Sequence, residues 1–488
     1  MDMPPHDVCY RALATRDARF DGRLFVGIKT TGIYCRPICP ARSAKSQNCV
    51  FFPSAAAAQS AGFRPCLRCR PEISPDAAAW RGTSNTVSRA LSLIAEGSFD
   101  GNESVGTLAA RLGVGERQLR RLFDKHLGAP PIAVAQTRRI LFAKQLIQDT
   151  ELKMSAIAEA AGFGSVRRFN DAFHKLYRRA PRELRARKAA DNSAIRVRLG
   201  YRPPYDWDAM IAFLGARAVE GVERVGPGLY ARTIEIGGEF GSIAVSPGRG
   251  TLDAAIRFPN VRALLGIVAR LRRLFDLDAD VETIGAHLSA DVSLKPLIAK
   301  RPGLRTPGGW DGFELAVRAI LGQQVSVVAA RKLAGRLVAR TSPVLSPDVT
   351  GDEQLTMIFP AAARVVGADL STMGMPGARI AALQSLATTA AGDPTLLDPI
   401  GTYEEAVERL LTLPGFGPWT AQYWALRALR DSDAFPAADV ALLRSPLVAH
   451  QGKRPTPKAL LARAEAWRPW RAYAAQHLWA HDGEQAAG

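Results

Sequence analysis

Beyond Cys69 this 488-residue chain contains no cysteine, and it has only six in all. The long remainder can therefore hold neither a thiolate metal site nor a cysteine-ligated iron–sulfur cluster. Long apolar runs are missing too: none approaches the roughly 20 residues needed to cross a bilayer. The opening stretch MDMPPHDVCYRALATRD lacks a basic-then-apolar leader, so a cytoplasmic, nucleoid-associated chain without membrane contact is expected. Acidic residues are scarce as well. Forty-six Asp and Glu stand against 64 Lys and Arg, giving a net charge of +18 and a pI near 10.0, which calls for a polyanionic partner. The shortage is local: residues 1–190 hold 31 basic against 16 acidic side chains, whereas residues 191–488 hold 33 against 30. The front is an electrostatic binder, and the rear must recognise its target by shape and chemistry. This length implies three or four domains.

What is present begins with the cysteines. Cys35, Cys39, Cys66 and Cys69 form two close pairs, Cys-x3-Cys and Cys-x2-Cys, with 26 residues between them. In a chain without an export signal such pairs favour one tetrahedral Zn²⁺ over disulfides. Spacing alone leaves two readings, a structural staple or a reactive centre. Arginines beside the cysteines, as in Cys35-Arg36-Pro37 and Cys66-Leu67-Arg68-Cys69-Arg70, point to an anionic visitor. Cys9 and Cys49 fall outside the spacing and read as ordinary reduced thiols. The runs TTGIYCRPICPAR and AGFRPCLRCRPE closely resemble the N-terminal zinc domain of the Ada family. That resemblance implies Cys35 as acceptor of a methyl group from a DNA methylphosphotriester, the other three cysteines as remaining ligands, and Thr31, Arg42 and Arg64 near the phosphate. A thioether cannot return its methyl, so the transfer would be single-turnover.

Residues 72–84 read as a connector, after which helical periodicity begins. Val105, Leu108, Ala109 and Leu112 share a face, a glycine turn follows at Gly113–Gly115, and Glu116–His126 is amphipathic. The plan repeats at Met154–Ala161, Gly162–Gly164 and Ser165–Tyr177, with a linking helix at about Ile132–Gln148. Helix, glycine-bearing turn and Arg-rich helix make a helix-turn-helix. Leu119, Leu122, Phe123, Phe169, Phe173 and Leu176 should be buried, leaving Arg117, Gln118, Arg121, Arg167, Arg168 and Asn170 for a groove or simply for solvent. The stretch IAEAAGFGSVRRFNDAFHKLYRRAPRELR is very close to the second motif of the AraC-type domain.

Asp191 to Arg198 reads as a polar joint. Alternating stretches at Leu229–Ile236, Ser242–Val245 and Thr251–Arg257 then predict an antiparallel sheet with helices packed on it. From about Pro307 the pattern is helical. Within it, Leu413-Pro414-Gly415-Phe416-Gly417-Pro418-Trp419-Thr420-Ala421 is the turn of a helix-hairpin-helix, whose Gly415 and Gly417 let the backbone approach a DNA phosphate. Asp439 follows 20 residues after Trp419; by position alone a helix cap is the minor alternative for it, and the tryptophans could be core. The runs RPPYDWDAMIAFLGARAVEGVE, RPGLRTPGGWDGFELAVRAILGQQVSV and WRPWRAYAAQHLWA closely resemble AlkA-type 3-methyladenine DNA glycosylases. The resemblance implies excision of N-alkylated purines, with Asp439 at the sugar and Trp419, Tyr423, Trp479 and Phe213 around a flipped base. Gln324 would fill the gap in the helix, where some relatives carry leucine. A monovalent cation on the hairpin carbonyls is also implied. Trp419 stands where strand-cutting relatives have a lysine, so a monofunctional enzyme is expected.

The expected fold is thus multidomain: a small α+β zinc domain (1–78), an all-α double helix-turn-helix domain (84–190), an α+β sheet domain (196–306) and an all-α helix-hairpin-helix glycosylase domain (307–488). No Pro-Cys-His-Arg motif of an O6-methylguanine transferase occurs. The whole reads as a methylation sensor and activator fused to a repair enzyme, probing double-stranded promoter and alkylated DNA, with RNA polymerase as partner and a monomeric state. Two rivals are a pure transcription factor with a degenerate rear clamp, and a glycosylase whose front only adds DNA affinity.

Overall fold

The computed structural model describes residues 3–75, 83–97, 104–185, 194–393, 395–398, 401–449 and 453–485. The connector at 72–84 and the joint at 191–198 lie partly outside the described residues. Two compact units are formed, one of residues 1–203 with 248–269, the other of 204–247 with 270–488.

The first unit opens with a four-stranded sheet of β1 (Phe25–Ile28), β2 (Ile33–Cys35), β3 (Cys49–Phe52) and β4 (Arg64–Pro65), in the order β3-β1-β2-β4. β1 runs antiparallel to β2 and β3, and β2 runs parallel to β4 with Tyr34 opposite Pro65. That parallel pair delivers Cys35 and Cys66 side by side at the ends of their strands. Five helices of the double helix-turn-helix follow at Val105–Arg111, Glu116–Leu127, Pro131–Asp149, Met154–Ala160 and Val166–Tyr177. Gly113 and Gly162 take left-handed φ of +69° and +74°, the conformation each turn requires. Leu119, Leu122, Phe123, Phe169 and Phe173 are buried as expected, but Leu176 is only half-buried. Tyr177 takes its place: residues 169, 173 and 177 repeat at four-residue spacing, and Tyr177 stacks on Phe173 at 4.5 Å.

The polar joint is shorter than expected. Ile195–Gly200 is strand β5, paired antiparallel with β9 (Thr251–Arg257) within the same unit. In the second unit, β6 (Glu223–Gly226), β7 (Leu229–Ile236) and β8 (Glu239–Pro247) form an antiparallel meander. Beyond Pro307 the elements are helices. Their shared core includes Leu315, Ile320, Leu337, Leu383, Leu386, Phe416 and Trp424, and Trp424 also donates its indole N–H to Gly312 O at 2.8 Å. No helix among the described residues is long and apolar enough to cross a membrane.

Candidate metal centre and base-excision pocket

The sulfurs of Cys35, Cys39, Cys66 and Cys69 all lie within 4.8 Å of one another, and all four side chains are buried. Tetrahedral Zn–S bonds of about 2.3 Å need sulfurs at this separation, so the donor set fits one Zn²⁺. The Cys35 thiol holds Cys39 down to about 7, and Cys66 is lowered by its three neighbours, while Cys35 and Cys69 are raised. Only a cation can keep four such sulfurs anionic together. Backbone N–H groups of Arg36 and Arg68 point at Cys69 Sγ (3.3 Å) and Cys66 Sγ (3.4 Å). Cys9 and Cys49 are buried, free thiols raised by burial.

Two of the neighbouring arginines are not open to an anionic visitor. Arg36 is buried against Asp21, with Nε donating at 2.8 Å, and also donates to Cys69 O. Arg70, at φ +53°, donates to Glu72 and grips Asp149 through both Nη atoms at 3.0 and 2.8 Å. Lys144 of the linking helix donates to Glu72 at 2.6 Å, both side chains being fully buried, and to Cys66 O at 3.4 Å. The cysteine cluster is thereby tied to the helix that joins the two helix-turn-helix motifs. Thr31 and Arg42 are exposed, Arg64 is half-buried, and Arg68 is exposed. Arg117, Gln118, Arg121, Arg167, Arg168 and Asn170 all face solvent.

In the second unit Phe213, Gln324, Gly417, Trp419, Tyr423, Asp439 and Trp479 line one cavity of about 1480 Å³. Asp439 is held from two sides. Trp419 Nε1 donates to Oδ2 at 2.8 Å and Trp479 Nε1 to Oδ1 at 2.9 Å. Oδ1 also accepts from the N–H groups of Ala441 and Leu442 at 3.0 and 3.1 Å, capping the helix Val440–Arg444. Asp439 therefore caps a helix and lines the cavity at once, since the cap holds the carboxylate at the cavity wall. Trp419 stacks on Tyr423 at 5.4 Å, and Tyr423 meets Trp479 edge-on at 6.3 Å.

Gln324 is exposed in the loop between Gly312–Leu321 and Val327–Thr341, at a left-handed φ of +55°. Its neighbour Gln323 fastens that loop to the hairpin, donating to Gly415 O at 2.7 Å and Thr420 Oγ1 at 3.0 Å. Gly415 needs its φ of +81°, and a Cβ there would come within 2.5 Å of Ala382 Cβ; Gly417 has open space instead. Gln323 was missed in the sequence, as were Arg217 and Arg427. Arg427 is buried, with its guanidinium 4.5 Å from the Phe213 ring, 5.4 Å from Tyr423 and 5.3 Å from Trp479. Arg217 lies 3.7 Å from Phe213. The aromatic cage expected for a cationic base thus already contains the protein's own cation. Trp419, Tyr423 and Arg427 recur every four residues, which puts them on one helical face, but Phe213 and Trp479 come from segments far away in the chain.

A four-sulfur centre, a pair of helix-turn-helix motifs and a hairpin-bearing helical domain with a tryptophan-held aspartate define a modular DNA-repair and regulatory protein. Comparison with known proteins agrees at each module. The metal binding domain of Ada matches residues 8–72, a helix-turn-helix domain residues 108–187 and the AlkA N-terminal domain residues 196–311. A probable bifunctional transcriptional activator/DNA repair enzyme AlkA of Mycobacterium tuberculosis is 41% identical over 96% of this chain and 95% of its own. DNA-3-methyladenine glycosylase 2 of Escherichia coli is 37% identical over 59% of this chain and 98% of its own. A solved 3-methyladenine DNA-glycosylase of Archaeoglobus fulgidus shares the fold, with a TM-score of 0.52 and 21% identity over 58% of this chain and 97% of its own. The chain belongs to the family of bifunctional transcriptional activator/DNA repair enzymes of the AlkA type.

Proposed function

We propose that the rear unit excises N-alkylated purines from DNA as a monofunctional glycosylase, and that the front unit senses methylated phosphotriesters and activates transcription. The single observation carrying the first half is the Asp439 carboxylate, fixed by Trp419 and Trp479 at the wall of a cavity large enough for a flipped base. The electron pair of the C1′–N bond leaves with the base, and Asp439 stabilises the positive charge left on the sugar until water adds at C1′. Trp419, Tyr423, Trp479 and Phe213 wall the cavity, Gln324 fills the vacated helix, and Gly415 and Gly417 bring the hairpin backbone to a phosphate. With tryptophan at position 419 there is no amine to attack the sugar, so the strand stays intact. A monovalent cation on the hairpin carbonyls would have to share Gly415 O with Gln323.

In the front unit, bound Zn²⁺ would keep the sulfurs as nucleophilic thiolates. Cys35 Sγ attacks the methyl carbon of the triester in line; the S–C bond forms, the C–O bond breaks, and a phosphodiester anion departs. Thr31, Arg42 and Arg64 would bind that phosphate. Loss of one negative charge at Cys35 strengthens promoter binding by the two helix-turn-helix motifs, through Arg117, Gln118, Arg121, Arg167, Arg168 and Asn170, and RNA polymerase is the downstream partner. The protein works as a cytoplasmic, nucleoid-associated monomer. The testing experiment measures release of 3-methyladenine and 7-methylguanine from methylated DNA by wild type and Asp439→Asn. Release by wild type alone, with uncut strands, supports the glycosylase. No release from the folded wild type would sink it and leave a regulator with an inert clamp. Radiolabelled methyl recovered on Cys35, one per chain, tests the sensor separately.

A further inference from the structure

Three segments of the rear unit meet at Gln323: the loop between helices Gly312–Leu321 and Val327–Thr341, the hairpin turn at residues 413–417, and the helix Gly377–Gly392. The Nε2 group of Gln323 donates to Gly415 O at 2.7 Å and to Thr420 Oγ1 at 3.0 Å. A carbonyl only accepts, so this contact fixes which end of the amide faces the hairpin. From the other side, Arg379 Nη2 donates to Gln323 O at 2.7 Å. Arg379 belongs to the helix whose Ala382 lies against Gly415, where a Cβ on the glycine would come within 2.5 Å of Ala382 Cβ. The next residue, Gln324, is exposed at a left-handed φ of +55°, a conformation that a residue with a side chain keeps only where its neighbours hold it. Gln323 itself is half-buried, and both glutamines line the cavity. Beyond them, Ser326 caps the following helix by accepting from the Ala329 N–H at 3.2 Å.

We propose that Gln323 is a positioning residue that locks the loop carrying Gln324 to the hairpin, so that the grip on a DNA phosphate and the filling of the gap left by the flipped base are set in one rigid register. This rests on the glycosylase reading and on the role it gives Gln324 in the vacated helix. Flipping a base out of the duplex requires unpairing and unstacking, and the cost is least for a lesion that is already unpaired. A side chain offsets that cost best when it is held at the gap before the base leaves; a loop that must first be ordered loses part of the gain to entropy. The hairpin supplies the fixed reference, because its backbone sits on the phosphate. Gln323 acts through Gln324 and takes no part in breaking the C1′–N bond. Its removal therefore slows a lesion according to how much pairing must be undone. Two neutral hydrogen bonds are at stake, which sets the effect on a fully paired lesion at about tenfold.

The experiment measures single-turnover excision of 7-methylguanine placed opposite cytosine or opposite an abasic site, using the full chain as wild type, Gln323→Met, Gln324→Ala and the double variant. Methionine keeps the length of the side chain but donates nothing. Gln323→Met should slow excision opposite cytosine about tenfold, and opposite the abasic site by less than about twofold. In the Gln324→Ala background the same change should add little opposite cytosine, because the residue through which Gln323 acts is gone. Equal slowing on both duplexes, or losses that simply multiply in the double variant, would show a residue that only supports the fold and overturn the assignment. If Gln323→Met does not fold, Arg379→Met, which frees the Gln323 carbonyl from outside the cavity, should shift the same comparison by a smaller factor, and an unshifted one overturns the assignment equally. No release by wild type from either duplex removes the glycosylase reading itself, an outcome distinct from an unshifted comparison.

Discussion

In the front unit, buried Lys144 and Arg36 and half-buried Arg70 lie beside Glu72, Asp21 and Asp149, each cation matched by a carboxylate within hydrogen-bond reach. At the wall of the rear cavity, Arg427 is as deeply buried but leans on three rings, a backbone carbonyl and an amide oxygen. The same rear unit matches Arg232 and Arg318 with Glu314 and Glu223, so the contrast lies between scaffold and cavity rather than between halves. A buried pair with its partners present holds elements in register, and removing one partner is costly because the other charge is stranded. Arg427, with no carboxylate against it among the described residues, instead ties Pro307 O and Gln476 to the cavity wall through neutral acceptors. Carboxylate partners thus distinguish the arginines of the scaffold from Arg427 at the cavity wall.

The sharpest way to break this contrast is at Glu72. Glu72→Ala strands Lys144 and leaves Arg70 with Asp149 alone, and denaturant unfolding should show the front unit losing about 3–5 kcal/mol. A loss below about 1 kcal/mol would mean the network is ornamental. Asp439→Asn comes next. Asparagine still caps the helix, so Tm should hardly move, while base release falls about a hundred- to a thousandfold. A fall in Tm matching the loss of activity would assign Asp439 to structure alone.

Acid sharpens the comparison inside the rear unit. Burial, helped by Arg301, pushes His477 down to about 4. The unfolded chain then takes up the proton first, so this contribution is full above about pH 6.5 and disappears as pH falls to about 4. The loss is about 3 kcal/mol, read as a pH-dependent midpoint that flattens in His477→Gln. The smallest effect on stability belongs to the exposed cations. Arg168→Ala should leave unfolding within about 0.5 kcal/mol, yet reduce the salt dependence of DNA binding by about one phosphate contact. An unchanged salt slope would return Arg168 to the solvated face.

Much of both sites is legible in local patterns. Two cysteine pairs, a glycine turn before each recognition helix, and the run Leu413–Ala421 are short-range signals, because zinc geometry, left-handed backbone and hairpin turns each demand particular residues within a few positions. Three details were not legible. Arg36 looks like an anion receptor in sequence and is a buried partner of Asp21; Leu176 yields its buried position to Tyr177, which can stack on Phe173; Arg427 enters a cage of rings drawn from three distant segments. Each depends on what lies across from the residue.

The chain alone therefore determined its modules: the thiolate cluster, the paired DNA-reading helices, the hairpin and its aspartate, all written in spacings that the backbone enforces locally. Only the tertiary structure decided which arginines meet carboxylates, and that Arg427 in the cavity wall meets rings and neutral oxygens instead. Charge compensation is a property of neighbours in space, and sequence distance carries no record of it.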